Sequence, residues 1–222
     1  RYYEREFDLT SLYDDNQITF DTGSNGANQT HTWNGCVEEA NTVTTGTFDP
    51  VPAAAYDLDI DLVPSSNEER WKPMLPTVTR ARYVWNGSAW ENTLNDVYTT
   101  SNFGTFTDYC PKAARKLAAF DSRTDLQTWI SEAAGFRARG STYHDFGMIW
   151  GGRFISPDGI FASENASAPN GDAISRHIVF MTDGTQSTST TVYGLYGIEW
   201  WDRRVTDDAS NASMETRHAA RF

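Results

Sequence analysis

The sequence predicts an α/β fold built around a parallel sheet, and three stretches carry that expectation. The first is Arg139-Gly-Ser-Thr-Tyr-His-Asp-Phe-Gly-Met-Ile-Trp-Gly151, a Gly-Ser turn that opens a helix at Thr142, with Phe146, Met148, Ile149 and Trp150 supplying an apolar side. The second is the apolar run His177-Ile-Val-Phe-Met-Thr-Asp-Gly184, which stops at Asp-Gly in the manner of a buried parallel strand ending in a turn. The third is the helical recurrence of Leu126, Trp129, Ile130, Ala133 and Ala134 behind N-cap candidates in Asp121-Ser-Arg-Thr-Asp125. Helix, helix, strand, helix is a piece of a doubly wound sheet. In such a sheet the carboxyl ends of strands and the helix starts beside them line one ligand crevice, so Thr142 and Asp183 are expected to meet.

Taken in order, residues 1–30 are polar, and only Asp8 to Phe20 hints at structure. Ile18-Thr-Phe20 has strand character but is too short for a central strand, so Asp21-Thr-Gly-Ser reads as a loop. From Asn25 to Gly46 a long Asn-, Thr- and Gly-rich loop is pinned by Trp33 and Cys36. Tyr56-Asp-Leu-Asp-Ile-Asp-Leu-Val63 alternates carboxylate with aliphatic, which on a strand puts Asp57, Asp59 and Asp61 on one face. That face is either a solvated edge or a Ca²⁺ site, although the central Gly and distal Glu of an EF-hand loop are missing. Pro64 to Pro76 is irregular and packed by Trp71. Asn86-Gly87, between Val84-Trp85 and Trp90, predicts a β-hairpin within an irregular insertion spanning about 30–108. The end of the chain, Tyr196 to Phe222, has helical character with polar interruptions.

Length and composition fit a single domain over 1–222. A net charge of −12, with lysine nearly absent, excludes a nucleic-acid-binding surface, which needs clustered cations to displace counterions. No run approaches the ~20 apolar residues of a membrane span, and no signal-peptide pattern opens the chain. Cys36 and Cys110 lack partners at metal-ligand spacing. Both flank turn signals, which reads as a disulfide formed in an oxidising compartment, against the alternative of two reduced thiols.

Gly140-Ser-Thr-Tyr-His-Asp-Phe-Gly-Met-Ile-Trp-Gly-Gly-Arg-Phe-Ile-Ser-Pro157, with Ile174-Ser-Arg-His-Ile-Val-Phe-Met-Thr-Asp-Gly184 and Trp33-Asn-Gly-Cys-Val-Glu-Glu39, resembles the von Willebrand factor A (VWA) region of TadG-like proteins of Flp-type pilus assembly. The resemblance is dense from about 110 to 204. It implies an incomplete VWA-like, Rossmann-type three-layer domain. Thr-x4-Gly at the helix start and the strand ending Thr-Asp-Gly are similar to the second and third parts of that family's metal-ion-dependent adhesion site. The first part, Asp-x-Ser-x-Ser, has no counterpart in residues 1–30, where only Asp8-Leu-Thr-Ser-Leu and Asp21-Thr-Gly-Ser-Asn come near. Both ends read as cut, so the chain is expected to be an internal fragment lacking that strand.

The resemblance implies a non-enzymatic module that helps assemble or anchor a pilus through divalent-cation-dependent contacts with a pilus or envelope protein. Its place is the periplasm or cell envelope, with an inner-membrane anchor in an upstream segment. Thr142 and Asp183 are the metal-ligand candidates. Their hard oxygens suit Mg²⁺ or Mn²⁺ better than a soft metal, with Ca²⁺ a lesser candidate. Without a cation, both residues read as helix or turn caps.

His144 and Asp145 are the candidate binding residues. His144 is expected to hydrogen-bond to the crevice rim or a neighbouring loop. Adjacent helical positions point in different directions, and no Gly-x-Ser-x-Gly elbow occurs, so the pair cannot form a hydrolytic relay with Ser141. The alternative function is a carboxylate-based extracytoplasmic hydrolase, for example on glycans. It is disfavoured because no carboxylate sits in an apolar sequence context that would raise its pKa.

Overall fold

The computed structural model describes residues 6–21, 27–75, 83–85, 88, 90–92, 110–116, 118–137, 140–182 and 184–222. In chain order its elements are α1 (Thr10–Asp14), β1 (Gln17–Phe20), β2 (Gln29–Thr32), β3 (Val37–Glu38), β4 (Lys72–Pro73), β5 (Tyr83–Trp85) and β6 (Trp90–Asn92). There follow α2 (Arg123–Trp129), α3 (His144–Ile155), α4 (Ala162–Asn165), β7 (Tyr193–Gly194), β8 (Gly197–Ile198), α5 (Glu199–Asp202) and α6 (Asn211–Arg221). Two short 3₁₀ turns add Tyr56–Leu58 and Glu132–Ala134. The described strands form four two-stranded sheets, β1–β2, β3–β4, β5–β6 and β7–β8. The architecture is mixed helix and small antiparallel sheets. Among the described residues no helix is long and apolar enough to cross a membrane.

The chain separates into two compact units, one of residues 1–36 and 73–139, the other of 37–72 and 140–222.

In the first unit, α1 leads into the β1–β2 ribbon, whose register runs from Gln17↔Thr32 to Phe20↔Gln29. Leu12, Ile18 and Leu75 form a small core, joined by Leu9, Phe20 and Trp33. Trp33 Nε1–H donates to the Cys36 carbonyl at 2.6 Å, so the expected pin is present, but the stretch 25–46 expected as one long loop contains β2 and β3, because β1 and β4 take their backbone hydrogen bonds. Cys36 and Cys110 lie at disulfide distance (Sγ–Sγ 2.13 Å, Cα–Cα 5.7 Å).

The expected hairpin is present as β5–β6, but the Trp85↔Trp90 register leaves four residues between the strands, and Asn86 and Gly87 lie outside the described residues. α2 starts where a cap was expected: Ser122 Oγ accepts from Asp125 N–H at 3.1 Å. It is shorter than its apolar pattern and buries none of its residues. The chain passes into the 3₁₀ turn and ends at Gly135, whose φ of +92° is a left-handed conformation that glycine adopts without strain.

The second unit is organised by α3 and α6, which pack together. Ile149 of α3 is buried, and α6 presents Met214, His218 and Arg221 to the interior at i, i+4, i+7, the helical period of one face. Tyr193, Tyr196, Ile198 and Val205 complete this core. Ser210 caps α6 by accepting from Ser213 N–H at 3.1 Å.

Two sequence expectations give way here. Asp57, Asp59 and Asp61 do not share a strand face, because Tyr56–Leu58 is a 3₁₀ turn that buries Asp57 completely and leaves the other two exposed. The run His177–Thr182 is neither strand nor helix. A continuous apolar run becomes a strand only when a neighbour takes its backbone hydrogen bonds, and among the described residues none does so for 177–181.

Candidate functional site

Thr142 lies one residue before the cap of α3, which is Tyr143, and is bridged antiparallel to Ser187 by two backbone hydrogen bonds of 2.8 and 2.9 Å. Thr142 is therefore not the N-cap. His144 Nε2 lies 3.3 Å from Thr182 Oγ1, and its ring meets Phe180 edge-on at 5.4 Å. The start of α3 thus sits beside Thr182. Asp183 itself lies outside the described residues. Among the described residues, no group of three or more His, Cys, Asp or Glu side chains is placed to hold a metal ion.

Asp145, one residue beyond His144, points the opposite way. It is completely buried, and its Oδ2 lies 2.7 Å from His218 Nδ1 of α6. His218 is equally buried, with its ring edge-on to Tyr143 (4.9 Å) and Phe146 (5.4 Å). Asp145 Oδ1 and His218 Nε2 have no hydrogen-bond partner among the described residues. A small cavity lined by Tyr143, Phe146, Tyr196, Glu199, Met214 and His218 adjoins them. The two candidate binding residues therefore divide: His144 faces the rim and Asp145 the interior.

The interior holds a cluster of charges. Arg153, 1% exposed, donates to Glu39 Oε1 at 2.7 Å and to the Asp57 carbonyl. Its guanidinium lies 5.1 Å from the Trp71 ring and 4.9 Å from the Trp150 ring. Trp71 Nε1–H donates to the other Glu39 oxygen at 3.1 Å. Tyr196 O–H donates to Asp57 Oδ2 at 2.7 Å, while Arg221 Nε approaches the same oxygen at 3.6 Å. Arg204 pairs with Glu38 at 3.1 Å, and Tyr193 O–H donates to the other Glu38 oxygen. Glu199 accepts from Val205 N–H, Thr206 N–H and the Thr206 hydroxyl. Removing this many charges from water is tolerable only because nearly every one meets an opposite charge or a hydrogen-bond donor.

Burial dominates the acid strengths. It raises Glu38 and Glu39 above the usual carboxylate range against the opposing pull of Arg204 and Arg153. It also pushes the Tyr196 hydroxyl far up, with Asp57 adding to the effect. Asp202 is raised to about 7, chiefly by burial and despite accepting from Ile198 N–H at 2.6 Å. Gly197, at φ +76°, makes this contact sterically open, since a Cβ there would stand 2.2 Å from Asp202 Oδ2.

The sequence expectation that no carboxylate has a raised pKa is thereby corrected. These carboxylates are desolvated by residues distant in sequence, so their flanking residues carry no sign of it. Arg153, Glu39, Glu199, His218 and Arg221 were not singled out as site residues. The Met214/His218/Arg221 spacing was the one available signal, because it places two polar side chains on an inward helix face.

Comparison with known protein families, curated proteins and solved structures returned no match.

Proposed function

We propose that this chain is a non-enzymatic protein-interaction module of a bacterial Tad/Flp-type pilus system, built on a VWA-like domain whose contacts depend on a divalent cation. The observation that carries the reading is the closeness of the α3 start to the end of the 177–182 run. Thr142 is bridged to Ser187 and His144 hydrogen-bonds to Thr182, so a hydroxyl at 142 and a carboxylate at 183 belong to adjoining segments. Such oxygen donors suit Mg²⁺ or Mn²⁺, which retain several waters and take one or two protein carboxylates. Further ligands would come from an upstream Asp-x-Ser-x-Ser strand and from an acidic residue of the protein partner, a pilus or envelope component. The Cys36–Cys110 pair is in keeping with a periplasmic or cell-envelope location.

Calorimetric titration of Mg²⁺ and Mn²⁺ into the longest natural form of the chain, beside Asp183→Ala, tests this reading. The expected result is saturable binding that disappears in the variant. Absence of binding in both would refute it.

A second reading, an extracytoplasmic carboxylate hydrolase, would use Asp202, a half-buried carboxyl at the end of α5 that accepts from Ile198 N–H and that burial raises to about 7, toward the range a general acid needs. Glycan hydrolysis with a pH limb near 7, lost in Asp202→Asn, would move the assignment to that reading.

A further inference from the structure

The side chains of the run 178–181 alternate in exposure, 44%, 81%, 37% and 87%, as those of an extended segment do. Ile178 and Phe180 lean on α3, where a Cβ added at Gly151 would lie 3.9 Å from Ile178 and one at Gly147 4.0 Å from Phe180. Val179 and Met181 face away. Both faces are thus apolar, as in a strand covered on both sides. Phe222, half exposed, extends the patch through its ring contact with Phe180 at 5.0 Å. Among the described residues, no backbone hydrogen bond is made by residues 177–181. An apolar segment with a free row of N–H and C=O groups is a template for another strand, since a docked helix would leave those groups unpaired.

We propose that this run is a self-association edge, on which a second copy of the chain docks its own run 177–182 antiparallel about a two-fold axis at Phe180. The sequence is complementary to itself in that sense alone. Arg176-His177 precedes the apolar core and Asp183 follows it, so antiparallel copies set a basic end against an acidic one, whereas parallel copies set like against like. The copy also supplies what both faces lack, with Val179 opposite Met181 on the outward face and Phe180 opposite its own counterpart on the other. Each chain carries a net charge of −12, so association is opposed at low ionic strength and strengthens as salt screens the repulsion. The inference is independent of the cation reading, since Asp183→Ala leaves the apolar core of the edge in place.

Sedimentation equilibrium of the full chain, from micromolar to several hundred micromolar and at low and moderate salt, is the direct test. The expected result is a monomer–dimer equilibrium that tightens with salt and is weakened at least about tenfold in Val179→Lys/Met181→Lys. Hydrogen exchange at two concentrations of the unmodified chain supplies a readout that needs no variant: amides 178–181 gain protection as concentration rises. A chain that stays monomeric throughout overturns the proposal. So does a variant that dimerises as well as the original, or protection gained elsewhere but not in this run.

Discussion

The second unit carries two regions that reverse the usual assignment of residue types to inside and outside. Arg153, Glu39, Asp57, Asp145, Glu199 and His218 are buried, whereas Val179 and Met181 stand almost wholly in solvent. The difference teaches that partners, more than polarity, decide burial here. Arg153 is enclosed because Glu39, the Asp57 carbonyl and two indole rings await it. Val179 is exposed because the segment that would cover it is not supplied by the described chain. Each region can be tested by removing what it has or adding what it lacks.

The largest effect is expected from Arg153→Met. The change keeps bulk but leaves Glu39 buried with the Trp71 N–H as its one side-chain donor among the described residues, and breaking a buried pair in this way costs about 3–5 kcal/mol. Urea unfolding would measure it. Adding Glu39→Leu should recover most of the loss, because an apolar pair of similar volume needs no desolvation. A single variant as stable as the parent would show that the pair is not buried. His218→Leu comes next, at about 3 kcal/mol, since Asp145 loses its one side-chain partner among the described residues while the leucine fills much the same space. Here, too, the double variant with Asp145→Leu should be milder than the single.

The legible parts of the fold were those governed by neighbours in sequence. Ser122 and Asp125 announced the start of α2, the Gly-Ser turn announced α3 to within two residues, and the strand propensity around Trp85 and Trp90 announced a hairpin. What failed depended on distant segments. The alternation in 56–63 was compatible with a strand, but Arg153, Tyr196 and Arg221 draw the Asp57 turn inward from about 100 or more residues away. The run 177–182 has the composition of a central strand and has no strand neighbour among the described residues. The candidate site was half visible for the same reason. His144 behaves as a rim residue, its position following from the helix start, while the role of Asp145 depends on His218, which lies 73 residues further along.

A pH-dependent effect tests the electrostatics of the buried cluster. The Asp202 carboxyl sits at about 7 in the folded chain and near 3.9 in an unfolded one, so between those values the folded state holds a proton that the unfolded state releases. Its contribution is therefore full below about pH 4, declines as pH rises and is gone above about 7, an amplitude on the order of 4 kcal/mol. Glu38 and Glu39, also raised by burial, act in the same direction. The exposed Asp8, Glu69, Asp207 and Asp208, all lowered by hydrogen bonds, act oppositely and only in more acidic solution. Asp202→Asn keeps an oxygen for the Ile198 N–H and cannot titrate, so urea midpoints measured between about pH 4 and 7 should fall less steeply than in the parent. An unchanged slope would mean that Asp202 is solvated.

The smallest effect concerns the exposed run. Val179→Thr and Met181→Thr each remove apolar surface that water already reaches, so in dilute solution neither should change stability by more than about 0.5 kcal/mol. Threonine keeps strand propensity, which separates loss of apolar contact from loss of extended conformation. The pair Ile178→Thr and Phe180→Thr serves as the internal control, because these side chains, 44% and 37% exposed, touch α3 and their truncation should cost somewhat more. Equal costs on both faces, measured in dilute solution, would mean that Val179 and Met181 are covered within a single chain. A difference between the faces that shrinks as concentration rises would mean instead that a second chain covers them.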